Sequence, residues 1–110
     1  MNKLTLTQPM ISDVSRLFAA LGDESRLRIL KVLLEAGRPL SQGAVAEAAE
    51  LSQANASKHL IHLTRVGLVH REPSGNLVLF TPVSPLVPDV CDLMCAHVAA
   101  RVKAAYSSIS

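Results

Sequence analysis

Tryptophan is absent from this 110-residue chain, and two phenylalanines and one tyrosine are its only aromatics. A β-sandwich draws on aromatic and β-branched residues, so a core built from Leu, Val, Ile and Ala points to helices instead. Cysteine is scarce as well: Cys91 and Cys95 are too few for a disulfide framework. No apolar run approaches the roughly 18 residues of a membrane span, and the segment from Met1 to Pro9 lacks the apolar centre of a signal peptide. The expectation is therefore a cytoplasmic protein with no membrane partner. Charged residues amount to only 18%, but a hydrophobic content of 49% excludes a disordered chain. The length suits a single domain, 1–110, in which folding hides about two-thirds of the extended surface. Acidic residues are missing from one stretch in particular. Between Leu51 and Arg71 there is none, whereas Lys58, Arg65 and Arg71 are cationic and His59, His62 and His70 can become so. On a chain of net charge +2, a local basic strip fits either a polyanion-binding surface or an ordinary solvated face.

Helical periodicity fills the first two-thirds. Met10, Val14, Leu17, Phe18 and Leu21 recur at the spacing that lines one helix face. Gly22 is expected to end that helix in a left-handed turn, and Asp23 to cap the next. Leu27, Leu30, Leu33 and Leu34 form the second stripe, which Gly37 and Pro39 stop. Ser41 caps a short third helix, Gln42 to Ala49, and Ser52 a fourth from Gln53 to Val66, with Ala56, Leu60 and Leu63 inward. Two short helices joined by a tight turn, over about 41–66, make a helix-turn-helix. Strand formers then appear at Leu68 to Glu72 and Asn76 to Thr81 around the turn residues Pro73-Ser74-Gly75, which predicts a hairpin over 68–81. A last helix spans about 86–106. It carries two apolar stripes, Val90, Leu93, Met94, His97 and Val98 on one and Cys91, Cys95, Ala99 and Val102 on the other. One stripe can pack on its own domain, and the second calls for another copy of the chain, a homodimer. The fold class is mainly α with a small β-hairpin, in the order α-α-α-α-β-β-α, dimerising through terminal helices.

Two segments carry a family resemblance. Leu21-Gly22-Asp23-Glu24-Ser25-Arg26-Leu27-Arg28-Ile29-Leu30 resembles the "L-a-D-p-t-R-l-r-I-L" segment of the ArsR/SmtB winged helix-turn-helix repressors. Leu51-Ser52-Gln53-Ala54-Asn55-Ala56-Ser57-Lys58-His59-Leu60 resembles their "L-S-Q-s-t-v-S-r-H-L" recognition segment, and the match covers about residues 14–81. The resemblance implies a dimeric repressor that binds an operator, an inverted repeat in double-stranded DNA, and releases it when an inducer binds. In such a motif the fourth helix enters the major groove. Gln53 and Asn55 are its base readers, since each amide can pair bidentately with adenine. Ser57, Lys58, His59, His62, Arg65 and Arg71 suit phosphates or mixed contacts. Two departures stand out: the wing tip from Glu72 to Asn76 has no Arg or Lys, and Glu50 occupies a turn position where the family commonly has glycine.

The family's metal sites do not carry over. Pro39 to Val45 replaces the cysteine motif of the third helix, and Val102 and Ala105 stand where later ligands of the last-helix site would fall. What remains is Cys91-x-x-x-Cys95, with Asp89 and His97 as weaker candidate metal ligands. Cysteines four apart share a helix face. They suit trivalent arsenic or antimony, oxidation or persulfide chemistry, or a softer metal ion, while no cofactor is required. The alternative is that both are small buried apolar residues of a DNA-binding or protein-interaction module with no inducer. An enzyme is not expected, because no glycine-rich loop or oxyanion site accompanies the thiols.

Overall fold

The computed structural model describes residues 6–109, so residues 1–5 and Ser110 of the expected domain lie outside the described residues. Helix α1 (Gln8–Leu21) is followed by α2 (Glu24–Ala36), strand β1 (Leu40–Ser41), α3 (Gln42–Ala48), α4 (Gln53–Arg65), strands β2 (Val69–Ser74) and β3 (Leu77–Pro82), and α5 (Leu86–Ile109). The fold is mainly helical with a small antiparallel hairpin. Four N-caps are made as their sequences dictate. Thr7, Asp23, Ser41 and Ser52 each take an extended backbone and accept from the amide three residues on.

The core is aliphatic. Ile29, Leu30 and Leu33 of α2 pack with Val45 and Ala49 around α3, Leu60 and Leu63 of α4, and Leu68, Val69, Phe80 and Val87. Ile29 takes the place expected for Leu27, which is 44% exposed. The α1 stripe is likewise only half used: Leu17 and Leu21 lean on the core, but Phe18 is 61% exposed. Between α1 and α2, Arg26 donates from Nε to Ala20 O at 2.7 Å, and from Nη2 to Ala19 O at 3.1 Å, which also accepts from Gly22 N, so its guanidinium helps close the end of α1. Gly22 ends α1 with φ −81°, not in the expected left-handed turn. Its lack of a side chain matters for space: a Cβ there would stand 3.3 Å from Phe18 O.

The sheet has three strands in the order β1-β3-β2, all antiparallel, so the wing is more than the expected hairpin. β1 pairs Leu40 with Phe80 and Ser41 with Leu79, tying the start of α3 to the wing. Two residues carry no alternation, which is why the sequence shows no strand there. The turn lies one residue later than expected, at Gly75-Asn76, with Gly75 at φ 62° and Asn76 not left-handed, as in a II′ turn. Pro73 accordingly sits inside β2, opposite Val78, and is tolerated because β2 is an edge strand.

Helix α5 leaves the domain. Val87 is buried and Cys91 half-buried against the core, yet every residue from Asp92 to Ser108 is exposed. At about 100° per residue, Met94, Cys95, Val98, Val102 and Tyr106 continue the face that Val87 and Cys91 turn inward. This replaces the two expected stripes with one, and Leu93 and His97 fall outside it. The chain exposes 7959 Å², against about 5,900 Å² for a compact chain of this mass.

Glu50, in the turn between α3 and α4, has φ 57° and is the one non-glycine residue with a positive φ among those described. A left-handed L-residue costs about 1–2 kcal/mol, partly offset by the greater freedom that glycine has when unfolded. Glu50→Gly should therefore raise the unfolding free energy by about 0.5–1 kcal/mol, read as a higher urea midpoint at unchanged slope.

Candidate nucleic-acid interface

Helix α4 starts at the Ser52 cap, whose Oγ accepts from Asn55 N at 3.1 Å. Ala56, His59, Leu60 and Leu63 bury one side of it. That fixes what faces out. The outermost ridge is Ala54, Lys58, Ile61 and Arg65, at the i, i+4, i+7, i+11 spacing, and all four are solvent-facing. Gln53 and Ser57 flank it on the side of the wing, while Asn55 and His62 flank it on the other. Gln53 and Asn55 thus stand about 160° apart on the helix and do not read side by side. Ala54 and Ile61 carry no polar group, so a search of the sequence for polar readers passes them over. Both are apolar groups that can meet a thymine methyl.

Arg65 and Ser57 of α4 and Arg71 of β2 line one groove of about 620 Å³ with Gln42 and Gly43 of α3 and Asn76 and Leu77 of the wing. Charge pairing separates this face from α1 and α2. Arg16, Arg26, Arg28 and Lys31 on α1 and α2 each lie within 4 Å of a carboxylate. Lys58, Arg65 and Arg71 have no ion pair among the described residues, so their charge is available to a polyanion.

His59 does not belong to this face. It is 9% exposed, packed beneath α4, and its Nδ1 is buried without a hydrogen-bond partner. Burial holds its pKa below the ordinary histidine value. The Asp23 carboxylate opposes that shift, while Arg26 and, from its own helix, Lys58 and His62 add to it. Asp23 itself is held below the usual carboxylate range, chiefly by the Arg26 backbone N–H. The expected DNA contact by His59 is corrected to a neutral core imidazole. Its polar type and its place in a basic strip suggest a surface residue, but its position three residues after Ala56 and four before Leu63 puts it on the inward face.

The thiols are on α5, far along the chain from this face. Cys91 is half-buried and its pKa is raised, first by burial and then by Cys95 and Asp92, whereas Cys95 is exposed. Asp89 and His97 fall on other faces of α5, each about 140° from the middle of the cysteine pair. Among the described residues no group of three or more His, Cys, Asp or Glu is placed to hold a metal ion. The expected participation of Asp89 and His97 with the cysteines is therefore not met within one chain. No helix of the described residues is long and apolar enough to cross a membrane.

Comparison with known proteins agrees with this geometry. A helix-turn-helix domain family matches residues 21–72. The transcriptional activator HlyU of Vibrio cholerae is 37% identical over 78 residues, 71% of this chain and 70% of that protein. The structure of reduced HlyU superposes with a TM-score of 0.69 at 33% identity, covering 83% of this chain and 94% of that one. This chain belongs to the ArsR/SmtB-type winged helix-turn-helix transcriptional regulators. At the level of fold alone, the regulator also resembles the homodimeric DNA-binding domain of Mb0332 from Mycobacterium bovis, a candidate ArsR-family regulator (TM-score 0.80, 22% identity, 93% of each chain). The antimony-specific repressor AntR is similar too (TM-score 0.78, 22% identity, 94% of this chain and 92% of that one). Its relatives are regulators, and it is not an enzyme.

The unpaired cations and the buried imidazole each have a measurable consequence. Replacing Lys58, Arg65 or Arg71 with Ala should weaken binding to all duplexes alike and flatten the dependence of log K on log salt by about 1 for each phosphate left unneutralised. Binding isotherms across a salt series measure this. For His59 the unfolded state, with the ordinary pKa near 6.5, takes up a proton before the folded state does. Stability should fall as pH drops through 6.5, and His59→Leu should lessen that fall in urea midpoints between pH 7.5 and 5.5.

Proposed function

We propose that the regulator works in the cytoplasm as a homodimeric repressor that binds an inverted repeat in duplex DNA and leaves it when a thiol-reactive inducer binds at Cys91 and Cys95. The observation that carries the DNA half is the run of unpaired cations on the exposed ridge of α4 and the neighbouring wing groove. In the helix-turn-helix geometry this ridge enters the major groove, and two copies reach half-sites about one turn apart. The uncovered α5 face supports pairing, since a solvent-facing stripe of Met94, Val98, Val102 and Tyr106 is stable only when covered. A second copy presents an identical stripe, which suits a two-fold contact. Whether the bound dimer blocks or aids transcription depends on where its operator lies. The relatives bear names of both kinds, an activator and a repressor.

The inducer half rests on Cys95, an exposed thiol on that same stripe, one turn from Cys91. A trivalent arsenic or antimony hydroxide exchanges hydroxide for thiolate, each thiol proton leaving in a water molecule, with no change in oxidation state. AntR shows that this fold can carry an antimony-specific repressor. Because α5 runs unbroken from the core at Val87 to the pairing stripe, a ligand at the cysteines alters the angle at which two copies meet and so the spacing of the α4 helices. Operator and inducer then oppose each other reciprocally.

The test uses fluorescence anisotropy on a duplex selected from random DNA. The wild type should select an inverted repeat, and arsenite or antimonite should weaken binding at least tenfold. Cys91→Ser with Cys95→Ser should bind DNA as before and ignore both. If the double variant responds like the wild type, the thiol reading is wrong. If neither responds to arsenite, antimonite, an oxidant or a persulfide donor, the alternative holds: a DNA-binding or protein-interaction module whose cysteines are structural.

A further inference from the structure

Gln42 and Gln53 are the first residues of α3 and α4, and their side chains meet across the turn. Gln42 Nε2 donates to the backbone O of Gln53 at 3.4 Å and to Gln53 Oε1 at 3.3 Å. The two contacts fix each other's sense. A backbone carbonyl only accepts, so the Gln42 group beside it is the amino group, and an amino group requires the carbonyl end of the Gln53 amide. Gly43 supports the same placement: a Cβ there would stand 3.6 Å from Gln53 Nε2, so the amide lies over the first turn of α3. The Gln53 Nε2 group has no acceptor among the described residues.

This arrangement changes what Gln53 offers to a base. Bidentate recognition of adenine needs both ends of the amide, N–H to N7 and C=O from N6–H. The Gln42 hydrogen bond occupies one of the two lone pairs of the Gln53 oxygen and holds that end of the amide toward α3, so Gln53 offers its amino group to a base ahead of its carbonyl. We propose that Gln42 is a positioning residue that biases Gln53 toward donating, so that the base facing it is selected for major-groove acceptors. Guanine, with N7 and O6, fits best; thymine offers O4; adenine offers only N7; and cytosine, whose N4 is a donor, fits worst. The inference rests on the DNA-binding function proposed above. One exposed neutral hydrogen bond shifts such a choice by about two- to tenfold, enough to appear in a base preference and too little to hold the fold together.

The experiment first finds the base-pair position whose preference is lost in Gln53→Ala, using duplexes selected by the full-length wild type. Competition among the four bases at that position then ranks them for each variant. The wild type should prefer guanine or thymine to adenine and cytosine. Gln42→Ala should free the Gln53 oxygen and raise adenine relative to guanine by about two- to tenfold, with Tm unchanged within about 2 °C. Gln42→Glu presents only acceptors to Gln53, so it should draw in the amino group, turn the Gln53 oxygen outward and favour the cytosine N4 and adenine N6 donors over guanine and thymine. Neither substitution should alter the ranking in a Gln53→Ala background. The proposal is overturned if the wild type ranks adenine first there, or if Gln42→Ala leaves the order unchanged or shifts it equally without Gln53. It also fails if no position depends on Gln53. A protein that selects no duplex at all instead overturns the DNA-binding function, and this inference with it.

Discussion

The one-sided burial of α4 is the constraint on which the rest of the molecule depends. Ala56, His59, Leu60 and Leu63 pin one edge of the helix to the α2–α3 core, and the opposite edge contributes no residue to that core. A helix held this way cannot rotate without exposing Leu60 and Leu63, at about 1.5–3 kcal/mol for each such side chain. The face carrying Ala54, Lys58, Ile61 and Arg65 is thus presented rigidly. Rigidity is what a base-reading element requires, because a misplaced donor reads nothing. The two-residue strand β1 extends the same logic to the wing, binding it through Leu40 and Phe80 to the start of α3. The groove between α4 and the wing is consequently part of the core's geometry, not a loose appendage.

Charge follows packing. The α1–α2 cations are neighboured by carboxylates, and Arg26 is further occupied in closing the end of α1. The cations of α4 and the wing, by contrast, have no ion-pair partner among the described residues. A chain with a net charge of just +2 can therefore present a cationic surface to DNA without being strongly basic overall. The absence of Lys and Arg from the wing tip confines that attraction to Lys58 on the ridge and to the groove where Arg65 and Arg71 stand, and leaves Leu77 exposed at the wing's end.

Much of the architecture was legible in the sequence because it rests on local rules. Caps at Asp23, Ser41 and Ser52, the stripe of Ala56, Leu60 and Leu63, and the strand-rich segments around Gly75 all carry their signal within a few residues. Most of the misses share a different cause. His59 looks like a surface cation until the Asp23–Arg26 corner is placed above it, and Gly22 looks like a left-handed stop until its closeness to the Phe18 carbonyl is seen. Leu40-Ser41 has no strand pattern because its pairing is supplied by β3 from about forty residues away. On α5 the two stripes read from spacing merge into one once Val87 and Cys91 show which face is inward. Gln42 carries no local sign of its contact with Gln53, which lies across a turn. Tertiary packing decides the others, whereas His59 already lies on the stripe of Ala56, Leu60 and Leu63 by spacing.

The central claim is that the exposed ridge of α4 is the surface that meets DNA. The most direct measurement is the backbone amide spectrum of the ¹⁵N-labelled regulator titrated with its selected duplex. The account predicts that the largest shifts cluster at Gln53, Ala54, Ser57, Lys58, Ile61, Arg65 and Arg71. Shifts concentrated instead on the outer face of α2, at Arg28, Lys31 and Glu35, with α4 unmoved, would contradict it.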